Sequence, residues 1–250
     1  MKEILGIDVG ATGTKGAIVD IKKGVLVTDR FKIPTPESKK PDAMAKTVKE
    51  ICQHFEWKNK VLGIGFPAVV KNKICYTASN IDKSWIGVDI YDLFDNKTKC
   101  ESTIINDADA AGISEMTHGV GKKWPKGIVI LLTLGTGIGS ALFMDGVLVP
   151  NTELGHLKFK GSIAEHIASN SARKKKKLNW EEYGKELNDY LLHVDFLFSP
   201  DQIILGGGIS KQYEEFSKQI SKNLDVKPAL HYNNAGIIGA AMSVNFMAKK

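Results

Sequence analysis

The chain of 250 residues is 43% hydrophobic and 25% charged, which excludes a disordered or fibrous polymer and leaves room for one large domain or two modest ones. A formal net charge of +6 is compatible with a polyanionic partner without demanding one, so the placement of the charge has to decide. The three cysteines, Cys52, Cys75 and Cys100, are odd in number and far apart, which excludes a disulfide framework and fits a reducing compartment.

At the N-terminus Glu3 precedes a short apolar run that meets glycines at once. Neither a secretory segment nor a spanning helix is expected, and the protein is read as cytoplasmic with no membrane partner. In GIDVGATGTKGAIVD, apolar runs at Ile4 to Val9 and Ala17 to Val19 flank a Gly/Thr turn at Gly10 to Thr14, a hairpin pattern. A third strand is expected in VLVTDRFKI. PDAMAKTVKEICQHF has Met44, Val48, Ile51, Cys52 and Phe55 at helical spacing, and the apolar VLGIGFP follows as a strand. Ser102 to Asn106 (STIIN) reads as a strand, and DADAAGISEMTHG as a helix that Asp107 can cap.

The stretch GIVILLTLGTGIGSALFMDG repeats the opening design. Gly10, Gly13, Gly16 and Asp20 are answered by Gly135, Gly137, Gly139 and Asp145, which predicts an internal duplication with one copy per half. Beyond it come a loop (VPNTELGHLKFKG), two helical stretches separated by the basic run Arg173 to Lys177, the strand QIILGGG, a helix from about Tyr213, and the small-residue helix NNAGIIGAAMSVNFM. The alternation is that of an α/β protein. Domains are expected at 1–105 and 106–250, sharing a cleft and a hinge near Cys100 to Asn106, with the C-terminal helix able to pack back on the first.

A Gly/Thr turn exposes backbone N–H groups to an anion without Cβ interference. Such a turn alone serves a hairpin equally well, but two matched copies favour gripping a phosphate chain. Asp8 is placed to hold magnesium through water, with Thr12, Thr14 and Lys15 meeting phosphoryl oxygens. Neither turn is a P-loop, and GVGKK at Gly119 to Lys123 lacks the spacing. Asp107, at the end of a strand, is the candidate general base for a hydroxyl attacking phosphorus; a helix N-cap is the plainer alternative. Asn151, Glu153 and His156, with Glu165 on the next helix, supply the donors and acceptors that a sugar requires.

On the strength of GIDVGATGTKGAIVD, SNIDKSWIGVD, NDADAAG, LLTLGTGIGSALFMDG, VPNTELGH and NNAGIIGAA, the sequence resembles the ROK family of sugar kinases, within the actin-like ATPase and hexokinase superfamily, and more narrowly the polyphosphate-using glucokinase branch. The resemblance implies two ribonuclease H-like domains flanking a cleft, and transfer of a terminal phosphoryl group to the 6-hydroxyl of glucose. It implies Asp107 as catalytic base, and Asn80, Asn106, Asp107, Glu153, His156 and Glu165 as glucose ligands. The donor and magnesium would bind at Asp8, Gly10, Thr12, Gly13, Thr14 and Lys15 and at Thr133, Gly135, Thr136 and Gly137, while Gly206, Gly207 and Gly208 match a nucleotide-edge turn. Many ROK proteins follow their GH pair with zinc-binding cysteines; here no cysteine follows Cys100, so zinc is not expected. Ala68 also replaces the usual glycine after Pro67. A homodimer is implied. The strand beginning at about residue 3 leaves no room for the helix-turn-helix of the ROK repressors, so no nucleic-acid partner is expected.

The donor is read as inorganic polyphosphate, with ATP open. Arg173, Lys174, Lys175, Lys176 and Lys177 are the candidate polyphosphate track, although a lysine-rich, solvated helix end explains the run by itself. The alternatives are an ATP-dependent glucokinase or mannokinase of the same family and, from another class, a non-enzymatic sugar or polyphosphate sensor or an actin-like polymer. Asp107 favours the enzyme, because a sensor needs no base.

Overall fold

Two hairpins, each an apolar run turned back at a Gly/Thr loop, seed the two large sheets of the protein. The computed structural model describes residues 2–247. Strand β1 (Glu3–Val9) pairs antiparallel with β2 (Gly13–Asp20), which is flanked by two short strands, β3 (Val25–Leu26) and β4 (Phe31–Pro34). The single strand expected in VLVTDRFKI is therefore two, interrupted at the polar Thr28–Arg30 stretch, where the Thr28 hydroxyl accepts from the Ile18 N–H at 3.1 Å. Helix α1 (Pro41–His54) buries Met44, Val48, Ile51 and Cys52 and leads to β5 (Val61–Phe66), parallel to β1. A small hairpin, β6 (Val70–Lys71) with β7 (Ile74–Cys75), precedes α2 (Ile90–Thr98) and β8 (Glu101–Asn106), which is parallel to β5. The order along the sheet is β3-β2-β1-β5-β8. Helix α3 (Asp107–His118) follows directly.

The second sheet uses the same plan. Strand β9 (Ile128–Leu134) pairs antiparallel with β10 (Ile138–Met144), which pairs antiparallel with β11 (Val147–Val149). The hairpin of β12 (Lys158–Phe159) and β13 (Ser162–Ile163), then helices α4 (Glu165–Ala168), α5 (Asn170–Lys175) and α6 (Trp180–Phe198), lead to β14 (Gln202–Gly206). Helix α7 (Tyr213–Phe216) and β15 (Val226–Pro228) complete the order β11-β10-β9-β14-β15, with β14 and β15 parallel to β9 and to each other. The sequence of antiparallel and parallel pairings matches that of the five-strand path of the first sheet, which carries β4 as an addition, as expected of a duplication of ribonuclease H-like cores. Strand β15 escaped the sequence reading because its three residues end in proline, which donates nothing to a ladder. The expected separation of two helices by the basic run is also corrected: Arg173 to Lys175 are themselves the last residues of α5, begun by Ser169, whose hydroxyl accepts from the Ala172 N–H.

One compact unit runs to Ser114 and takes back the chain from Asn234; the other is Glu115–Asn233. This differs from a split at 105/106, because β8 leads into α3 without a break and the division falls inside that helix. The C-terminal helix α8 (Ala235–Met247) belongs to the first unit for a steric reason. A Cβ on Gly63 would lie 1.9 Å from the Ala240 carbonyl oxygen, and one on Gly6 would lie 2.1 Å from that of Ile237. Only glycines on the strands, facing a small-residue helix, allow an approach this close. Each unit has its own core: Phe66, Trp85 and Phe94 sit among aliphatic residues in the first, and Tyr183, Tyr190 and Phe216 in the second. Among the described residues no helix is long and apolar enough to cross a membrane.

Candidate functional site

In the first unit the candidate residues gather where β1 and β8 end. Register places Asp8 opposite Lys15, and their side chains form an ion pair at 2.9 Å. The turn between them is closed by the Gly10 N–H on the Gly13 carbonyl at 3.2 Å and braced by the Thr35 hydroxyl, which donates to the Gly10 carbonyl at 2.6 Å. Thr12 is exposed, whereas Thr14 is fully buried and its hydroxyl has no hydrogen-bond partner among the described residues. A cation not read from the sequence lies over the turn: a Cβ on Gly13 would be 2.5 Å from Cε of Lys32. The spacing to β4 that brings Lys32 here depends on strand pairing, which has no local signal.

The end of β8 corrects one expectation. The N-cap of α3 is Asn106: its Oδ1 accepts from the Ala108 and Asp109 N–H groups at 2.9 and 3.1 Å, and its Nδ2 donates to the Ala68 carbonyl at 3.5 Å. Helix geometry favours this, since the residue before the first helical turn reaches N2 and N3 with its side chain. Asp107 opens the helix itself, half-buried, with Oδ1 accepting from the Ala108 N–H at 2.8 Å. Ala68, the departure after Pro67, is buried and supplies the carbonyl that orients Asn106. Asn80 is exposed in a loop, where its carbonyl accepts from Lys39 Nζ at 3.3 Å.

In the second unit the Thr133 to Gly137 turn and the Glu153, His156 and Glu165 cluster come together. The Gly135 N–H closes the turn on the Gly137 carbonyl at 3.0 Å; Thr136 is exposed and Thr133 half-buried. Glu165 Oε2 accepts from the Ile138 N–H at 3.3 Å and lies so near Gly137 that a Cβ there would be 2.3 Å away. Glu165 Oε1 is 3.7 Å from His156 Nε2, and His156 Nδ1 is 3.5 Å from Glu153 Oε2. The imidazole is thus flanked by two carboxylates, a row of acceptors with an N–H donor between them, suited to adjacent hydroxyls of a sugar. Burial pushes the Glu153 carboxyl above its ordinary range; His156 opposes this and Glu165 adds to it. Asn151 takes a left-handed conformation at φ 61° in the loop entering the cluster. That loop is fastened to β10 by Ser140, whose hydroxyl donates to the Thr152 carbonyl at 2.8 Å and accepts from the Leu154 N–H at 3.0 Å.

The basic run divides in two. Arg173 is a structural residue: it donates to Asn170 Oδ1 and the Leu178 carbonyl, each at 3.2 Å, and stacks over Trp180. Lys174 to Lys177 are exposed. Helix α5, which carries the first two of them, is tied to the Thr133 to Gly137 turn by the Ser171 N–H on the Gly135 carbonyl at 3.0 Å. Gly206 ends β14 beside Thr133. Gly207, at φ 79°, packs on the Leu134 backbone, and Gly208 is exposed.

One buried carboxylate went unread. Glu115 is fully buried and accepts from the N–H groups of Val120, Leu230 and His231 and pairs with the His231 imidazole at 3.2 Å. Burial pushes its carboxyl up, but the imidazole and the three N–H donors outweigh this and hold it below the ordinary range. A partner more than a hundred residues away leaves no motif.

Comparison with known proteins identifies the family. The ROK family model matches residues 4–168. The chain is 43% identical over 239 residues to the polyphosphate glucokinase of Mycobacterium tuberculosis, covering 95% of this chain and 89% of that protein. Its structure is similar to that of an inorganic polyphosphate/ATP-glucomannokinase from Arthrobacter sp. strain KM, with a TM-score of 0.95 and 42% identity over 99% of this chain and all of that one. A ROK family glucokinase from Streptomyces griseus shares the fold at a TM-score of 0.78 and 21% identity, over 96% of this chain and 98% of the other. With two duplicated ribonuclease H-like units, paired glycine turns and this depth of similarity, the chain belongs to the ROK family.

Proposed function

We propose that the protein is a polyphosphate glucokinase, transferring the terminal phosphoryl group of inorganic polyphosphate to the 6-hydroxyl of glucose with Asp107 as general base. The observation that carries the reading is the 43% identity, over 95% of the chain, to a polyphosphate glucokinase. Glu153, His156 and Glu165 hold sugar hydroxyls, joined by Asn80 and Asn106, whose side chain is otherwise committed to its cap. The N–H groups of the turns at Gly10 to Lys15 and Thr133 to Gly137 stabilise charge on the transferring group. Asp107 accepts the hydroxyl proton as the oxygen attacks phosphorus; its support is that Asn106 does the capping, so the carboxylate is not required to start the helix.

Magnesium fits this site in one manner. Among the described residues no three His, Cys, Asp or Glu side chains form a metal cage, whereas a single carboxylate at Asp8 beside donor phosphates suits an ion that keeps most of its waters. Bound there, magnesium would neutralise charge on the donor phosphates. Lys15 pairs with the same carboxylate at 2.9 Å and would share it with the ion.

Dual donor use and activity on mannose form the second reading, favoured by the 42% identity to a polyphosphate/ATP-glucomannokinase. Gly206 to Gly208 would then border a nucleotide. A homodimer and a cytoplasmic location belong to the same proposal, the first checked by light scattering. The deciding assay is glucose 6-phosphate formation with magnesium and either nucleotide-free polyphosphate or ATP, at low and moderate salt. Turnover with polyphosphate that falls steeply with salt supports the reading. Turnover with ATP alone overturns the donor, and turnover with neither overturns the kinase.

A further inference from the structure

The contacts within the Glu153, His156 and Glu165 cluster are 3.5 and 3.7 Å, longer than the hydrogen bonds that fix a geometry. Its side chains are partly open to solvent, so they do not hold one another in place. Glu165 is also held by the Ile138 N–H, so the spacing of Glu153 and His156 from it has to come from the backbone that carries them. Ser140 fastens that backbone to β10 on one side, and one helix grips it at both ends on the other. The Tyr190 hydroxyl donates to the Leu154 carbonyl at 3.2 Å, one residue after Glu153 and two before His156. The Tyr183 hydroxyl donates to the Ala168 carbonyl at 2.9 Å, one turn after Glu165. Both tyrosines are on α6, seven residues and therefore two turns apart on one face, and both are fully buried. Midway along the gripped segment, Lys160 pairs with Glu186 and Asp189 of the same helix at 3.0 and 2.6 Å, and Phe159 packs edge-on against the Tyr190 ring.

We infer that α6 is the template for the sugar cluster, with Tyr190 and Tyr183 as positioning residues that set the separation of Glu153 and His156 from Glu165. The exposed Lys160 pairs contribute little beside two buried hydroxyls whose loss would strand a carbonyl. The two ends are not equivalent. Tyr190 acts on the loop that carries two of the three residues, while Tyr183 acts at the far end of the helix that carries the third. Removal of the Tyr190 hydroxyl therefore shifts Glu153 and His156 relative to Glu165, and small displacements of positioning groups have large effects on binding and orientation.

The inference rests on the sugar-kinase reading, and the test separates the two. Glucose binding is measured by calorimetry, and initial rates by varying glucose at saturating donor, for the whole protein and its Tyr190→Phe and Tyr213→Phe variants. Tyr213 is the control: its hydroxyl also donates to a carbonyl of the second unit, that of Val226 at 2.9 Å, away from the cluster. Tyr190→Phe is expected to raise the glucose Kd and KM roughly tenfold while kcat changes less than about threefold. The donor KM should hold, and Tyr213→Phe should leave the glucose constants unchanged. If Tyr190→Phe does not fold, Tyr183→Phe tests the other end in the same way. Wild-type protein that binds no glucose overturns the sugar reading and this inference together. A wild type that binds glucose, with Tyr190→Phe behaving like Tyr213→Phe, overturns the inference alone.

Discussion

Glu115→Gln tests whether a single buried carboxylate holds the chain around Leu230 and His231. Oε1 accepts from the His231 N–H at 2.7 Å and pairs with its imidazole; Oε2 accepts from the Val120 and Leu230 N–H groups, each at 3.1 Å. A glutamine retains one acceptor oxygen: with its NH2 toward Val120 and Leu230 it strands two N–H donors, and with its NH2 toward His231 it strands the backbone N–H while it can donate to the ring nitrogen. Stranding one or two buried donors costs about 1–3 kcal/mol each, and removal of a desolvated charge returns part of it, leaving a net loss of roughly 1–4 kcal/mol. For a chain of this size that lowers Tm by roughly 3–15 °C, measurable by thermal and urea unfolding. The sign of the pH dependence is fixed as well. The folded carboxyl lies below its unfolded value, so its stabilisation is complete above the ordinary carboxylate range and lost as pH falls through the folded value. Wild type and variant should differ fully at neutral pH and converge in acid. A Tm change of under about 2 °C at neutral pH, or a gap that widens in acid, would refute the reasoning.

Three further outcomes follow from the site. Asp107→Asn should lower kcat roughly a thousandfold with an unchanged Tm, since Asn106 remains the cap; near-normal turnover would remove Asp107 as base. Gly137→Ala should raise the KM for glucose with little loss of stability, because the added methyl displaces the Glu165 carboxylate from the Ile138 N–H rather than meeting backbone; unaltered glucose kinetics would disconnect that turn from the sugar. Replacing Lys174 to Lys177 with alanine should weaken polyphosphate use roughly tenfold at moderate salt and flatten its salt dependence, while ATP kinetics stay constant; an equal effect on both donors would mark a structural role for the run.

What could be read from the sequence and what could not divide along physical lines. Glycine turns between apolar runs are local signals, so both seed hairpins and their duplication were visible, and the matched sheet orders follow from them. The cap at the start of α3 was misplaced by one residue because Asn106 and Asp107 are both good capping residues, and only the end of β8 decides between them. The boundary between the compact units has no local signal, because β8 runs straight into α3, whereas the return of α8 to the first unit, which the sequence allowed, is made close by Gly6 and Gly63 facing Ile237 and Ala240. Lys32, Ser140 and the α6 tyrosines were missed because they too lack a local signal. Each acts through a strand register or a helix face rather than a neighbour in sequence.

The same distinction separates the residues of the basic run, which sequence presents as five equivalent cations. Arg173 is bidentate in effect, reaching a side-chain amide and a carbonyl while its plane covers Trp180, a combination that an ammonium group cannot reproduce. It shapes the turn from α5 toward α6 and is unsuited to following a mobile polyanion. The four lysines beyond it make no such commitments in their exposed positions, and the first two of them lie on a helix whose start is bonded to the Gly135 turn. If polyphosphate is the donor, these four lysines are the part of the run that can bind it, because counterion release contributes to binding only through cations not already neutralised within the protein.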